Sequence, residues 1–468
     1  MAIIKDANMR TMLKTVYLSG VANDKYQNSP ILSAIPKETW AGGDTIKYAA
    51  QYGNGGNFGS VYSTVANNMT EGVQNLEWEM KQGYAFGLFN INQPELLATR
   101  EERGAYMKAL ANKMAGCFDG LSKTLATYLY GGKYGVMGQV IDPAYDSGKA
   151  LESGDTNEMV LNSSTVIKMD IGTRFVIATE GSKNGAKPSS PIGSTICTVL
   201  SIDDNKITFR ANGTPTIYVG DYIELYTARG ADDSPRGFEG LADIIPSVAD
   251  RNGAVWTNYI KESFRGINRS KATSRLAGQF VKAAEDGATR LTDGMVSLLK
   301  KTKRAGGLNN IMIINDETWD AVGAELGIQK NLWQATDGAV SKQGATVGIN
   351  ELATAFGDAF VGRTVIDPYC TEGLAYSLEK DDLKFYDLGN VSRAITPTAN
   401  DQMGKADISA AGDQGFGDTI SPAINMDKLF TVEQGTAGEY GPELRIAANI
   451  FGNFALTKTA SVGVAVLK

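Results

Sequence analysis

Asn310-Ile311-Met312-Ile313-Ile314-Asn315-Asp316-Glu317-Thr318-Trp319 is the stretch from which the fold is read. The apolar run Ile311–Ile314 is too short for a helix and has no polar face, which predicts a strand covered on both sides. Asp316 then predicts the N-cap of a helix continuing through Trp319 and Val322. Upstream, the spacing over Leu291–Arg304 predicts a helix feeding the strand. A helix, a buried strand and a second helix in succession mark a mixed α/β domain. Further strands are predicted downstream at Thr364-Val365-Ile366-Asp367-Pro368, Leu374–Leu378 and Lys384-Phe385-Tyr386. Residues 396–440, rich in Gly, Asp and Thr, read as an extended or loopy excursion. Two strands close the chain, Leu444–Leu456 and Ala460–Leu467, the second with Val462, Val464 and Val466 in alternation.

Toward the N-terminus the texture changes. From about 150 to 236 the sequence breaks into short β segments, among them Thr173–Ile177, Cys197–Ile202 and Tyr218–Leu225. The second turns through Asp203-Asp204-Asn205-Lys206 into Ile207-Thr208-Phe209, a hairpin pattern. A compact all-β insertion, built as a small barrel, is expected there. Before it, Pro94 suits a first helical turn. Leu110, Met114, Cys117, Leu121, Leu125 and Tyr128 follow at spacings of three and four, until Gly131-Gly132 stops the helix. At 1.5 Å per residue this is a rod on the order of 50 Å long. Earlier still, Thr45-Ile46-Lys47-Tyr48 alternates, runs into Tyr52-Gly53-Asn54-Gly55-Gly56-Asn57-Phe58-Gly59, and returns as a strand with Leu76, Trp78 and Met80 on one face. These residues predict a two-stranded arm with a flexible glycine-rich tip. Two strands alone are at best marginally stable, so the arm needs a surface to lie on, and a neighbouring subunit would serve. In the N-terminal segment Met9, Leu13, Val16 and Tyr17 fall at helical spacing.

The composition excludes more than it assigns. None of the 468 residues is histidine, which removes the commonest general base near neutral pH and the commonest metal ligand. Cys117, Cys197 and Cys370 are too few for zinc, copper or haem ligand sets and too scattered for a disulfide framework, so a reducing compartment is expected. Cys117 falls on the apolar face of the long helix and reads as a small buried hydrophobe. The cluster at 53–59 has Phe58 where a dinucleotide-binding loop needs its third glycine. Neither a phosphate-binding G-x-x-x-x-G-K-[ST] loop nor a G-x-S-x-G nucleophile turn occurs. The acidic pairs Asp203-Asp204, Asp232-Asp233 and Asp381-Asp382 lie in polar turns and read as solvated. The basic stretches Arg265–Arg275 and Lys300–Arg304 read as a solvated helix face or a subunit contact. The net charge of −7 argues against a dedicated nucleic-acid binder. No catalytic, metal or cofactor-binding residue is expected, and no enzymatic activity. The N-terminus lacks a secretory apolar region and no run approaches a membrane span, so no membrane partner is expected.

In order, the predicted elements are a short N-terminal segment, a glycine-tipped β arm, a long helix, a β insertion, an α/β domain and terminal strands. This order resembles the major capsid (coat) proteins of tailed bacteriophages, the fold first described in a Hong Kong phage and shared with herpesviruses. The run Leu291–Val322 and the segment Val361–Pro368 with the strand Leu374–Leu378 carry the local likeness. The resemblance implies an α+β coat fold: N-terminal segment 1–39, arm 40–92, peripheral domain with spine helix 93–149, all-β insertion 150–236, axial α/β domain 237–390, and a return to the peripheral domain over 391–468. It further implies a subunit that assembles with itself through pentamers and hexamers into an icosahedral shell in the host cytoplasm, and resides in the virion. Packaged double-stranded DNA would be a neighbour by proximity, without specific recognition. Some relatives fuse a scaffolding segment to the N-terminus; with some forty residues before the arm, the scaffolding is expected to be a separate protein or to have been removed already, and a portal is expected as a further partner. The assembly residues implied are the tip (Tyr52, Gly53, Asn54, Gly55, Gly56, Phe58), the arm strand (Leu76, Trp78, Met80) and the spine-helix stripe (Leu110, Met114, Cys117, Leu121, Leu125). Alternatives are an encapsulin-like compartment enclosing enzymes and a carboxylate-dependent hydrolase; the large β insertion favours the phage coat over the first.

Overall fold

The computed structural model describes residues 29, 31–32, 35–40, 43–53, 58–67, 74–92, 109–178, 191–230, 234–245, 259–261, 264–284, 287–308, 311–325, 363–379, 381–387, 430–434, 443–456 and 458–467. The chain divides into two compact units. One comprises Met1–Ser33, Tyr84–Leu125 and Asp387–Phe451; the other comprises Ala34–Gly83, Ala126–Tyr386 and Gly452–Lys468.

Strands β1 (Lys37–Thr39) and β2 (Thr45–Gly53) come first, then a short helix α1 (Tyr62–Asn67), β3 (Gln74–Lys81) and β4 (Gly83–Asn92). Helix α2 (Ala109–Gly131) is the described part of the predicted spine. Its expected start at Pro94, and the side chains of Leu110 and Met114, lie outside the described residues. It stops where the glycines predict. The chain tightens into the 3-10 turn Gly132–Tyr134, and Gly132 and Gly135 take φ values of +69° and +62°. A side chain on Gly131 would run into the carbonyl of Val136. After α2 come β5 (Val136–Gln139), β6 (Lys149–Ala150), β7 (Thr156–Val160), β8 (Arg174–Ala178), β9 (Pro191–Asp203), β10 (Lys206–Ala211), β11 (Thr216–Ile217) and β12 (Tyr222–Leu225). Then follow β13 (Gln279–Lys282), α3 (Leu291–Arg304), β14 (Ile311–Ile314), α4 (Asp316–Glu325), β15 (Arg363–Ile366), β16 (Leu374–Leu378) and β17 (Leu383–Asp387). The last are β18 (Phe430–Gln434), β19 (Glu443–Leu456) and β20 (Gly463–Val466). The N-terminal helical spacing at Met9–Tyr17 and most of 396–440 lie outside the described residues, although β18 shows that the excursion includes a strand.

In the first unit, β19 pairs antiparallel with β18, Phe430 opposite Ala448 and Gln434 opposite Leu444, and β4 pairs with β19. Strand β4 also packs on α2. A Cβ at Gly87 would come within 2.6 Å of Cys117 Sγ and 3.1 Å of Leu121, so glycine permits the close approach. Tyr84, Phe86 and Phe451 form an aromatic row with centroids 5.8–6.4 Å apart. Burial pushes the Cys117 thiol up to about 11, which leaves it protonated and inert at neutral pH.

The second unit holds two cores of different make. Strands β5, β12, β8, β9, β10 and β7 form a six-stranded sheet in that order, and β6 with β11 forms a separate ribbon. Every described pairing in the six-stranded sheet is antiparallel. Its core runs from Met137 to Ile223 and includes Tyr145, Met159, Phe175, Phe209 and Ile207. The rings of Phe175 and Phe209 meet edge to face at 5.4 Å. The sheet therefore begins at Val136, before the change of texture at 150, because β5 pairs with β12. Among the described residues its hydrogen-bonded path is open, with β5 and β7 at the ends, where a barrel was expected to close. The strand expected at Tyr218–Leu225 is shorter: the Tyr218 amide donates to Asp221 Oδ2 at 2.8 Å, making a turn, and the strand starts at Tyr222.

The other core lies on the mixed sheet β13-β20-β16-β14-β15. Strand β14 is the apolar run quoted at the outset, and all of its residues are buried. It sits parallel to β15 and antiparallel to β16. Helix α3 spans Leu291–Arg304 as predicted and buries Met295, Leu298 and Leu299 against Met312, Ile314 and Ala465. Its first turn is capped from α4, where Glu325 accepts from the Leu291 amide and the Thr292 hydroxyl, both at 2.7 Å. The cap of α4 is Asn315 rather than Asp316. Asn315 Oδ1 accepts from the Glu317 amide at 2.9 Å, while its amide nitrogen donates to the carbonyls of Pro368 and Cys370.

Candidate assembly arm

The arm is the hairpin β2–β3, in register from Thr45 opposite Lys81 to Gln51 opposite Asn75, with an irregularity at Tyr52 before Gly53 pairs with Gln74. Such a bulge bends and twists a strand. The return strand ends at Lys81, and β4 turns to β19, so the arm is shorter than the expected 40–92. The alternation read from the sequence holds: Tyr48, Ala50, Tyr52 and Leu76 pack toward Trp78, while Lys47 and Glu77 point outward and pair at 3.7 Å. Gly53 has no positive φ; a Cβ there would approach the Gln74 Cβ at 3.2 Å, so closeness to Gln74 is what glycine relieves. Asn54, Gly55 and Gly56 lie outside the described residues. The connection is longer than a turn and contains α1.

Burial changes steeply along this hairpin. At its root Met80 and Trp78 are 0% and 1% exposed, whereas Phe58 and Tyr62 in the connection are 84% and 87% exposed, with Val61 beside them also exposed. The root lies on its own chain. Trp78 packs on Ile267 and Leu276, stacks with Tyr48 at 6.4 Å and meets the Phe264 ring edge to face at 5.8 Å. Trp78 and Met80 are therefore covered by their own chain, where a neighbouring subunit was expected to serve. The surface the arm needed is supplied by residues 264–276.

Arg265 holds this root in place. Phe264 and Ile267 exchange two backbone hydrogen bonds of 3.0 Å across Arg265 and Gly266, whose φ values are +50° and +83°, the signature of a type I′ turn. The Arg265 carbonyl accepts from the Glu79 amide at 2.9 Å, tying the turn to β3. Its guanidinium donates to Glu239 Oε2 at 2.7 Å, to the Tyr48 hydroxyl at 2.8 Å and to the Phe454 carbonyl at 2.7 Å. Burial disfavours its charge, but Glu239 and Tyr48 outweigh that and hold its pKa above the usual arginine value. Asn453 completes the anchor by donating to the Lys81 carbonyl and accepting from the Glu239 amide, both at 2.8 Å.

Arg269 is buried too. Its guanidinium carbon lies 3.9 Å from the Tyr259 ring centroid and 4.2 Å from that of Phe264, a cation held between two aromatic faces. It donates to the carbonyls of Ile244 and Asp243. The reading of Arg265–Arg275 as a solvated helix face is thus corrected: the segment is a turn, a 3-10 turn at Arg269–Lys271 and a short helix Thr273–Leu276, with two arginines inside. Nearby, burial raises the Asp243 carboxyl to about 6, although Oδ2 accepts from the amides of Lys133 and Gly240. Of the spine-helix stripe, Leu121 and Leu125 are buried and Cys117 is half-buried.

No protein-family model and no curated protein matches the sequence. Among solved structures, a chain of the Cyanophage A-1(L) capsid asymmetric unit is similar with a TM-score of 0.50 at 12% identity, covering 96% of this chain and 95% of that one. The capsid of Myoviridae Phage XM1 (TM-score 0.42, 8% identity, 99% and 98% covered) and Mycobacterium phage Ogopogo (TM-score 0.42, 8% identity, 99% of each) are also similar. The α+β fold is that of the cyanophage capsid chain over nearly its full length, as the element order predicted.

Proposed function

We propose that this chain is the major coat subunit of a tailed bacteriophage, a structural protein without catalytic activity. It assembles through pentamers and hexamers into an icosahedral shell around double-stranded DNA. The observation that carries the reading is the fold shared with a phage capsid chain over 96% of this sequence. Fold alone does not fix function, and the arm adds a physical reason. Its tip exposes Phe58, Val61 and Tyr62 on a hairpin whose root is fixed in its own subunit, and exposed apolar groups of this kind mark contact sites. Subunits of a ring meet head to tail through heterologous contacts, and permanent interfaces usually bury more than about 2,000 Å² per pair. A separate scaffolding protein and a portal are the further partners in this reading; DNA is met by proximity, and the subunit resides in the virion. Negative-stain microscopy of protein co-expressed with its scaffolding partner tests it, with closed shells expected. Persistent monomers would contradict the proposal, and shells filled with an enzyme rather than DNA would point to a protein compartment.

A further inference from the structure

Within the second unit, the six-stranded sheet and the mixed sheet build their cores separately: among the described residues the two apolar clusters share no member. Polar side chains join them. The Ser163 hydroxyl and the Ser164 amide donate to Glu372 Oε1 at 2.9 and 3.5 Å. Lys168, on the same segment, is 5% exposed and donates to the Met137 carbonyl of β5 at 2.9 Å. This segment is fixed to the six-stranded sheet, since a Cβ on Gly138 of β5 would run into Thr165. The facing residues 367–372 are fixed to the mixed sheet. Asn315 donates to the carbonyls of Pro368 and Cys370, and the Gly373 amide donates to Thr318 Oγ1 at 2.8 Å. The end of α2 enters the same seam, where the Tyr130 hydroxyl donates to Asp367 Oδ2 at 2.8 Å and its ring lies 6.1 Å from that of Tyr376. Burial pushes Lys168 down from 10.5 to about 8, although Cys370 and Asp367 act against that. Burial also pushes Tyr130, Cys370 and Tyr376 well up, and β5 carries no titratable side chain. Of these four groups, Lys168 is the one that changes charge near pH 8.

We propose that this seam is a hinge on which the six-stranded sheet moves against the mixed sheet, and that it tightens as Lys168 gives up its proton. Opening the seam hydrates Lys168 and returns it to its ordinary value, so opening takes up a proton. The closed form therefore gains on the open one as pH rises from about 8 to 10.5, and gains nothing further outside that window. Neither apolar core has to be split for the movement, so it takes less free energy than unfolding. The proposal does not depend on the coat reading.

Cys370 reports the opening. It is fully buried and its thiol stays protonated while the seam is closed, so alkylation requires opening. Cys197, in the core of the six-stranded sheet, labels only when that sheet unfolds. The test follows iodoacetamide labelling of the full-length chain, resolved by residue with mass spectrometry, at reagent concentrations where reclosing outpaces labelling. At pH 7 Cys370 should label about tenfold or more faster than Cys197. The ratio of wild-type to Lys168→Met rates at Cys370 cancels the thiol's own pH dependence. It should be about tenfold or more higher at pH 7 than at pH 9.5. Glu372→Ala cuts the other tie without touching Lys168; it should speed Cys370 about threefold or more and leave Cys197 unchanged. Cys370 labelling no faster than Cys197, a wild-type to Lys168→Met ratio indifferent to pH, or a Glu372→Ala rate equal to wild type would each overturn the proposal.

Discussion

Arg265 occupies a backbone conformation that residues with side chains seldom adopt, and its φ of +50° is held by the contacts its side chain makes. Replacing it with methionine leaves Glu239 without its buried partner and leaves the Tyr48 hydroxyl and Phe454 carbonyl without a donor. Breaking a buried pair in this way costs about 3–5 kcal/mol, which denaturant unfolding should show. Lysine keeps the charge but offers no three-way fork, so Arg265→Lys should recover part of the loss at most. Asp243 gives a pH signature. Its folded pKa, raised from 3.8 to about 6, favours the neutral acid. The associated stability is fully present below the unfolded pKa and lost as pH rises through the folded one. Asp243→Asn keeps an acceptor for the two amides and removes the titration. Lowering the pH from 7 to 5 should therefore stabilise the wild type relative to this variant by about 1 kcal/mol, measured as the difference between their unfolding free energies. Neither residue was legible in the sequence. A basic run reads as solvated because charged residues are rarely buried unless paired, and the partners Tyr48, Glu239 and Phe454 are far from Arg265 along the chain.

Elements with a clear period were the legible ones. Helix α3 and strand β16 match their expected bounds because an amphipathic stripe and a fully buried run each have a single way to pack. The cap of α4 was displaced by one residue, since Asn315 and Asp316 are both good caps and tertiary contacts to Pro368 and Cys370 select the asparagine. The β unit was legible in kind and blurred at its edge, because Val136–Gln139 is a short strand whose partner, Tyr222–Leu225, lies far along the chain. Its core is built from residues between Met137 and Ile223. Residues 136–229 expressed alone should therefore unfold cooperatively with a β-rich spectrum; a spectrum of disordered chain without a thermal transition would contradict this. Helix α2 depends on its buried stripe. Leu121→Asp places a charge where Gly87 leaves no room for water, at a cost of several kcal/mol, comparable with a whole domain's reserve. Insoluble or unfolded protein is the expected outcome, read by solubility and melting.

At the scale of the whole molecule, the residues that fold the chain differ from those that, in the proposed coat function, join its copies. The root of the arm, through Trp78, Met80 and the Arg265 turn, belongs to the subunit's own core, so replacing all of 46–80 with a linker should unfold the chain. The sequence suggested a surface-lying arm because a hairpin with one apolar face must be covered, and it could not say by which chain. The tip makes the opposite prediction, since Phe58, Val61 and Tyr62 are exposed and their loss costs the subunit little. The most direct measurement compares the wild type with Phe58→Ser/Val61→Ser/Tyr62→Ser, each co-expressed with the proposed scaffolding partner, by melting temperature and by counting closed shells in the microscope. An unchanged melting temperature with few or no closed shells is expected. A variant that builds normal shells would contradict it, as would one that unfolds before it can assemble.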